Sequence, residues 1–159
     1  MIPATTSPMD AALHFLGYRA RTVRETERYL DEKQYGEYEI AQTIDRLLEL
    51  GLLDDEKFAA DFIETRLRTK PVSRRHLREQ LYAHELPADI LAAALEQISD
   101  ETEQENANRI AEKYWAQFSN LEQSERRSRV MQRLLHRGYD YDTASRALDS
   151  QSHECEDTE

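Results

Sequence analysis

Apolar positions recur in three matched blocks. In each, a leucine closes an amphipathic stretch: Leu30 after Glu27-Arg-Tyr, Leu81 after Glu79-Gln, and Leu134 after Gln132-Arg. The three leucines stand 51 and 53 residues apart. Nine or ten residues after each, another short helical pattern begins: Ile40-Ala41 with Ile44, Ile90-Leu91 with Ala94, and Thr143-Ala144 with Ala147. A period of about fifty residues describes stacked helical repeats, none of which buries its apolar face alone. Such arrays usually serve as surfaces that hold a partner.

Between these anchors the pattern predicts helices throughout. The first covers 9–19, with Ala12, Leu13, Leu16 and Phe15 inward. Thr22, with Glu25 three residues on, makes a capping box that opens a helix to about residue 33, burying Val23, Thr26 and Leu30. A helix over 37–50 follows, carrying Ile40, Ile44, Leu47 and Leu48, and Gly51 sits where a left-handed residue ends it. The second block opens at Asp54 or Asp55, with Phe58, Ala59, Phe62 and Ile63 as its apolar face, and Pro71 stops that helix. Ser73 caps the next, with Leu77 and Leu81 inward, and Pro87 suits the first turn of a third. The last block reads as helices over 101–118, 122–137 and 142–148, with a turn at Gly138. The expected fold is therefore all-α: three tandem three-helix repeats in an elongated, curved array. A flexible leader spans 1–8, the repeats span 9–53, 54–99 and 100–149, and an acidic, disordered tail spans 150–159.

Composition supports helices and narrows the function. Four glycines and four prolines are too few for the turns of an all-β chain. The net charge of −11 argues against wholesale coating of nucleic acid. The single cysteine, Cys155, allows no internal disulfide, which fits a reducing cytosol. The first eight residues lack the basic start and apolar core of a signal peptide. The richest apolar run, 47–53, is far shorter than the ~20 residues of a membrane span. A soluble cytoplasmic protein is expected.

Candidate chemistry is sparse. No glycine-rich phosphate loop is present, and no two histidines stand at i, i+4 on a helix, so neither a cofactor nor a metal is expected. His153-Glu-Cys155-Glu reads as incidental tail chemistry, Asp54-Asp55 as a helix cap, and Tyr114-Trp115 and Phe58/Phe62 as core. Without a nucleophile elbow or glycines to shape a pocket, no enzyme is expected. The informative charges are cationic. Arg66, Arg68, Lys70, Arg74, Arg75 and Arg78 form an acid-poor run; Arg126, Arg127, Arg129, Arg133 and Arg137 form a second, and Arg19, Arg21, Arg24 and Arg28 a third. Each lies at or just before the middle helix of its repeat. Repeats stacked in register would align the clusters as one partner-binding basic face. Arginine, outnumbering lysine seventeen to four, is the better residue for bidentate contacts with carboxylate or phosphate.

Leu50-Gly-Leu-Leu-Asp-Asp-Glu-Lys-Phe-Ala59, with Phe62, Arg66 and then Arg74-Arg75-His-Leu-Arg-Glu-Gln-Leu81, resembles the RecX family of bacterial regulatory proteins. Leu134-Leu-His-Arg-Gly-Tyr139 followed by Asp142-Thr-Ala-Ser-Arg-Ala-Leu148 looks like that family's closing element, and Ala11 through Leu30 is similar to its opening one. The resemblance covers about residues 9–149. One departure is Lys70-Pro-Val-Ser73, where many members carry glycine. The resemblance implies three three-helix repeats without catalysis. It also implies binding along the groove of the RecA–DNA filament, and inhibition of strand exchange and the linked ATP hydrolysis. DNA would then be met weakly or through the filament, with no membrane and no small-molecule substrate. The alternatives are a direct DNA-binding helical module and a helical-repeat scaffold for another protein.

Overall fold

The computed structural model describes residues 6–154, which form α-helices joined by short turns; among them there is no β-strand. In chain order the helices are α1 (Pro8–Leu16), α2 (Val23–Glu32), α3 (Glu37–Glu49), α4 (Asp55–Thr69), α5 (Arg74–Tyr82), α6 (Ala88–Glu96), α7 (Asp100–Gln117), α8 (Gln123–His136) and α9 (Tyr141–Glu154). Their starts follow the side chains that satisfy first-turn N–H groups. Thr22 Oγ1 accepts from the Glu25 N–H at 3.2 Å while Glu25 Oε1 accepts from the Thr22 N–H at 3.1 Å, a complete capping box. Of the two acids before α4, Asp54 is the cap, accepting from the Lys57 N–H at 3.1 Å. Asp55 instead accepts from the Val23 N–H at 2.9 Å, at the first turn of α2. Ser73 caps α5 through the His76 N–H at 3.1 Å.

The three-fold recurrence is written into burial. Leu30, Leu81 and Leu134 are fully buried, as are the residues one turn earlier, Thr26, Leu77 and Val130. Fourteen residues beyond the anchors stand Ile44, Leu95 and Leu148, again buried. Four residues beyond them the backbone turns left-handed each time, at Gln34 (φ 67°), Glu85 (φ 61°) and Gly138 (φ 93°). In the first and third repeats the anchor carbonyl closes that turn, accepting from the N–H of Tyr35 and of Tyr139 at 3.3 Å. Gly51 (φ 72°) ends α3 in the same way, as its position predicts.

Contacts divide the chain into two units, one of Met1–Phe62 with Gln80–Ala94 and one of Ile63–Glu79 with Leu95–Glu159. In the first, α1, α2 and α3 enclose Ala11, Ala12, Leu30, Ile44, Leu47 and Leu53. In the second, α7 packs on α8 and α9. The alanines at 107, 111, 144 and 147, all fully buried, leave room there for Trp115, Val130, Leu134, Tyr139 and Leu148.

Several expectations are corrected. The first helix ends at Leu16, because Gly17 is its C-cap, and starts at Pro8 under Ser7, whose hydroxyl accepts from the Asp10 N–H at 3.1 Å. Residues 6–8 of the expected leader are thus part of the fold, and Thr6 O accepts from the Tyr35 hydroxyl at 2.7 Å. Leu13 and Leu48, expected inward, are 43% and 44% exposed; the neighbouring Ala12 and Leu47 take the buried positions. Phe58 and Phe62 are half-buried and meet the His84 ring edge-on, at 5.1 and 5.5 Å between centroids. The last helix runs on to Glu154, so the start of the expected disordered tail is helical. Gln151 explains this: it stands where the first two repeats have Leu47 and Ile98, and it is buried as they are. Ser152 adds a hydroxyl bond to Leu148 O at 3.3 Å. Residues 1–5 and Cys155 lie outside the described residues.

Candidate interaction surface

The fifteen cations singled out above meet different fates, decided by which of them already have a partner. In the first unit, Arg19 pairs with Glu25 at 3.3 Å, Arg24 with Glu27 at 3.4 Å, and Arg28 with Glu85. Arg21 lies over the Phe15 ring, 4.1 Å from its centroid, and Phe15 stacks on Tyr29 at 4.1 Å. Arg24 also borders a cleft of about 690 Å³ with Glu27, Asp55 and Glu85. A second cleft sets Arg24 and Arg28 among Glu27, Asp31, Glu37 and Glu85. Carboxylates outnumber guanidinium groups there, so this cluster is a mixed surface.

Glu25 shows what the paired acids do for the fold. Burial pushes its carboxyl upward. The Thr22 N–H bond, the His84 ring 3.4 Å away and Arg19 outweigh that and hold it below the ordinary value. Thr22 in turn donates its hydroxyl to His84 O at 2.8 Å. The start of α2 is thereby tied to the turn after α5.

In the second unit, Arg74 is the best-anchored cation. Its Nη2 donates to Asp100 Oδ1 at 2.7 Å, its Nη1 to Ile98 O at 3.1 Å and its Nε to Glu103 Oε2 at 3.3 Å. Glu103 also accepts from the Arg74 backbone N–H, so it caps α5 from α7. Because the Arg74 side chain is about a third exposed, the set is partly screened. Arg74→Ala should cost about 1–2 kcal/mol, whereas Arg75→Ala and Arg78→Ala should change stability by no more than about 0.5 kcal/mol. Urea unfolding followed by the fluorescence of Trp115, the only tryptophan in the chain, measures all three.

Arg66 is half-buried. Arg68, Lys70, Arg75 and Arg78 are exposed, and none forms an ion pair among the described residues. Arg75 and Arg78 share a face of α5 at i, i+3. The third cluster divides again. Arg126 donates its Nε to Trp115 O at 2.8 Å and lies 4.0 Å from the centre of the Trp115 ring. Arg127 pairs with Asp149 at 2.8 Å and Arg129 with Glu125 at 3.6 Å. Arg133 and Arg137 have no carboxylate among the described residues. Arg133 lies over Tyr114 and Phe118, at 5.4 and 6.0 Å. Arg137 donates to Pro71 O at 2.9 Å and to the Tyr114 hydroxyl at 3.0 Å, and its own carbonyl accepts from the Ser73 N–H at 3.0 Å. Arg137 thus clasps the turn between α4 and α5 that carries Lys70.

Sequence reasoning missed one member, Lys113, exposed and 5.6 Å from the Tyr114 ring centre. Its signal is the pairing of Lys113-Tyr114 with two arginines one turn apart, Arg133 and Arg137. Tyr114 itself is half-buried beside this group, while Trp115 is core as expected. Among the described residues no His, Cys, Asp and Glu cluster could hold a metal ion, and no helix is long and apolar enough to cross a membrane.

Three family models match in order: the first three-helix domain of RecX at residues 9–47, the second at 54–95 and the third at 101–148. The regulatory protein RecX of Prosthecochloris aestuarii is 32% identical over 145 residues, covering 91% of this chain and 93% of that protein. The regulatory protein RecX of Bacillus subtilis is 32% identical over 151 residues, 94% of this chain. That of Oceanobacillus iheyensis is 27% identical over 147 residues. The chain spans 57% of the Bacillus relative and 54% of the Oceanobacillus one, a little over half of each. The crystal structure of RecX from Lactobacillus salivarius superposes with a TM-score of 0.77 at 25% identity, over 90% of this chain and 93% of that one. With all three domain models matched in sequence order and a relative covered almost end to end, the chain belongs to the RecX family of regulatory proteins.

Proposed function

We propose that this protein is a regulator without chemistry of its own, which binds the RecA–DNA filament and inhibits the recombinase and its linked ATP hydrolysis. The observation that supports this reading best is the set of exposed cations in the second unit, Arg68, Lys70, Arg75 and Arg78. No carboxylate of the described residues pairs with them. Free guanidinium groups suit phosphates or the acidic surface of a filament. The chain's net charge of −11 opposes indiscriminate DNA binding at long range. At physiological salt, charges beyond about 8 Å are screened, so the local patch governs contact.

A titration of RecA ATPase activity on single-stranded DNA is the test. The wild-type protein should suppress hydrolysis. The triple variant Arg68→Glu, Arg75→Glu, Arg78→Glu should need a roughly tenfold higher concentration for the same effect, about 1.4 kcal/mol, with unchanged far-ultraviolet circular dichroism. Full inhibition by the folded triple variant removes these residues from the mechanism. No inhibition by the wild type rejects the reading.

A further inference from the structure

We propose that Lys113, Tyr114, Phe118, Arg133 and Arg137 form a binding site for a nucleic-acid single strand, which takes a phosphate on its cations and a base against its aromatic pair. This deepens the filament reading, on which it rests for the DNA strand as its natural ligand. Tyr114 and Phe118 stand one turn apart on α7 with rings nearly parallel, 17° between planes and 6.1 Å between centroids, and both are half-buried. Around Tyr114 lie Lys113, Arg133 and Arg137, at 5.6, 5.4 and 5.7 Å from the ring centre. None of the three has an ion-pair partner among the described residues. Three cations held against one ring repel each other, and an anion seated between them relieves that.

The polar atoms point to the same ligand. The Tyr114 oxygen accepts from Arg137 Nη2 at 3.0 Å, which leaves its own proton to donate. Arg137 is held in place by Pro71 O, so the phenol is oriented before any ligand arrives. Arg133 and Lys113 are exposed. The site therefore offers donors with no acceptor to match, next to a planar apolar surface. A phosphodiester bearing an unpaired base supplies both complements, through phosphate oxygens and a π-face. A duplex hides its base faces, and an acidic peptide leaves the aromatic pair unused.

Binding of a fluorescein-labelled oligothymidylate to the full chain, followed by anisotropy across a salt series, tests the assignment. Lys113→Gln with Arg133→Gln should weaken binding about tenfold. It should also flatten the logarithmic salt slope by about 1.4, for two lost single-strand phosphate contacts. Tyr114→Phe, which keeps the ring and removes only the hydroxyl, should weaken it several-fold. Arg129→Gln, on the same helix but already paired with Glu125, should bind like the wild type. Unchanged affinity in the folded double variant overturns the proposal; so does an undetectable wild-type complex, or a preference for polyglutamate over the oligonucleotide. RecA ATPase inhibition measured on the same samples separates the two readings. Inhibition that persists without oligonucleotide binding sinks this site alone. Oligonucleotide binding as expected, without any inhibition, sinks the filament reading alone.

Discussion

Gly138→Ala should lower the unfolding free energy by about 3 kcal/mol or more, the sum of backbone strain and overpacking. The backbone there is left-handed at φ 93°. A methyl group would sit 2.3 Å from Ser73 Oγ and 2.5 Å from His76 Nδ1, inside contact distance of both. Neither neighbour is free to withdraw. Ser73 is buried, its Oγ accepts the His76 N–H at the start of α5, and its own N–H is bonded to Arg137 O. Urea unfolding followed through Trp115 reads the loss. The equivalent position of the first repeat supplies the control: Gln34 adopts the same backbone at φ 67° and is exposed. Gln34→Gly should be neutral or stabilise by up to about 1 kcal/mol. Equal responses at 34 and 138 would show that packing against Ser73 and His76 is not what demands glycine.

Leu81→Ala should cost about 2–5 kcal/mol, the transfer of the lost side chain plus the cavity it leaves. Leu81 is fully buried, and so is Leu77 one turn before it. Leu50→Ala, at a side chain 50% exposed, should stay within about 0.5 kcal/mol of wild type. Thermal unfolding by circular dichroism distinguishes the two. A Leu81 variant as stable as the Leu50 variant would mean that the anchor leucines do not organise the repeats.

Helix type and most helix starts were legible because they rest on local chemistry. Thr22 with Glu25, Ser73, and Gly51 each act within a few residues of themselves. The last helix was read short because Gln151 breaks the apolar pattern, although it occupies the buried position that Leu47 and Ile98 hold earlier. The positions of the cations were equally legible, but their freedom was not. Arg28 finds Glu85 57 residues away, Arg74 finds Glu103 29 away, and Arg127 finds Asp149 22 away. Only tertiary structure brings such partners together, so fifteen equal candidates became a smaller unpaired set. The aromatic centre at Tyr114 was hidden for the same reason. Its helical spacing fits a core residue, and only the approach of Arg133 and Arg137 from α8 marks it out.

The clasp formed by Arg137 bears on the order of events during synthesis. Its bond to Pro71 O joins residues 66 apart in sequence. Chains fold from the N-terminus as they leave the ribosome. The turn that carries Lys70 therefore stays untethered until most of the third repeat has emerged. A nascent chain displays the cations of the second repeat without their final placement, and gains its recognition surface only near the end of translation.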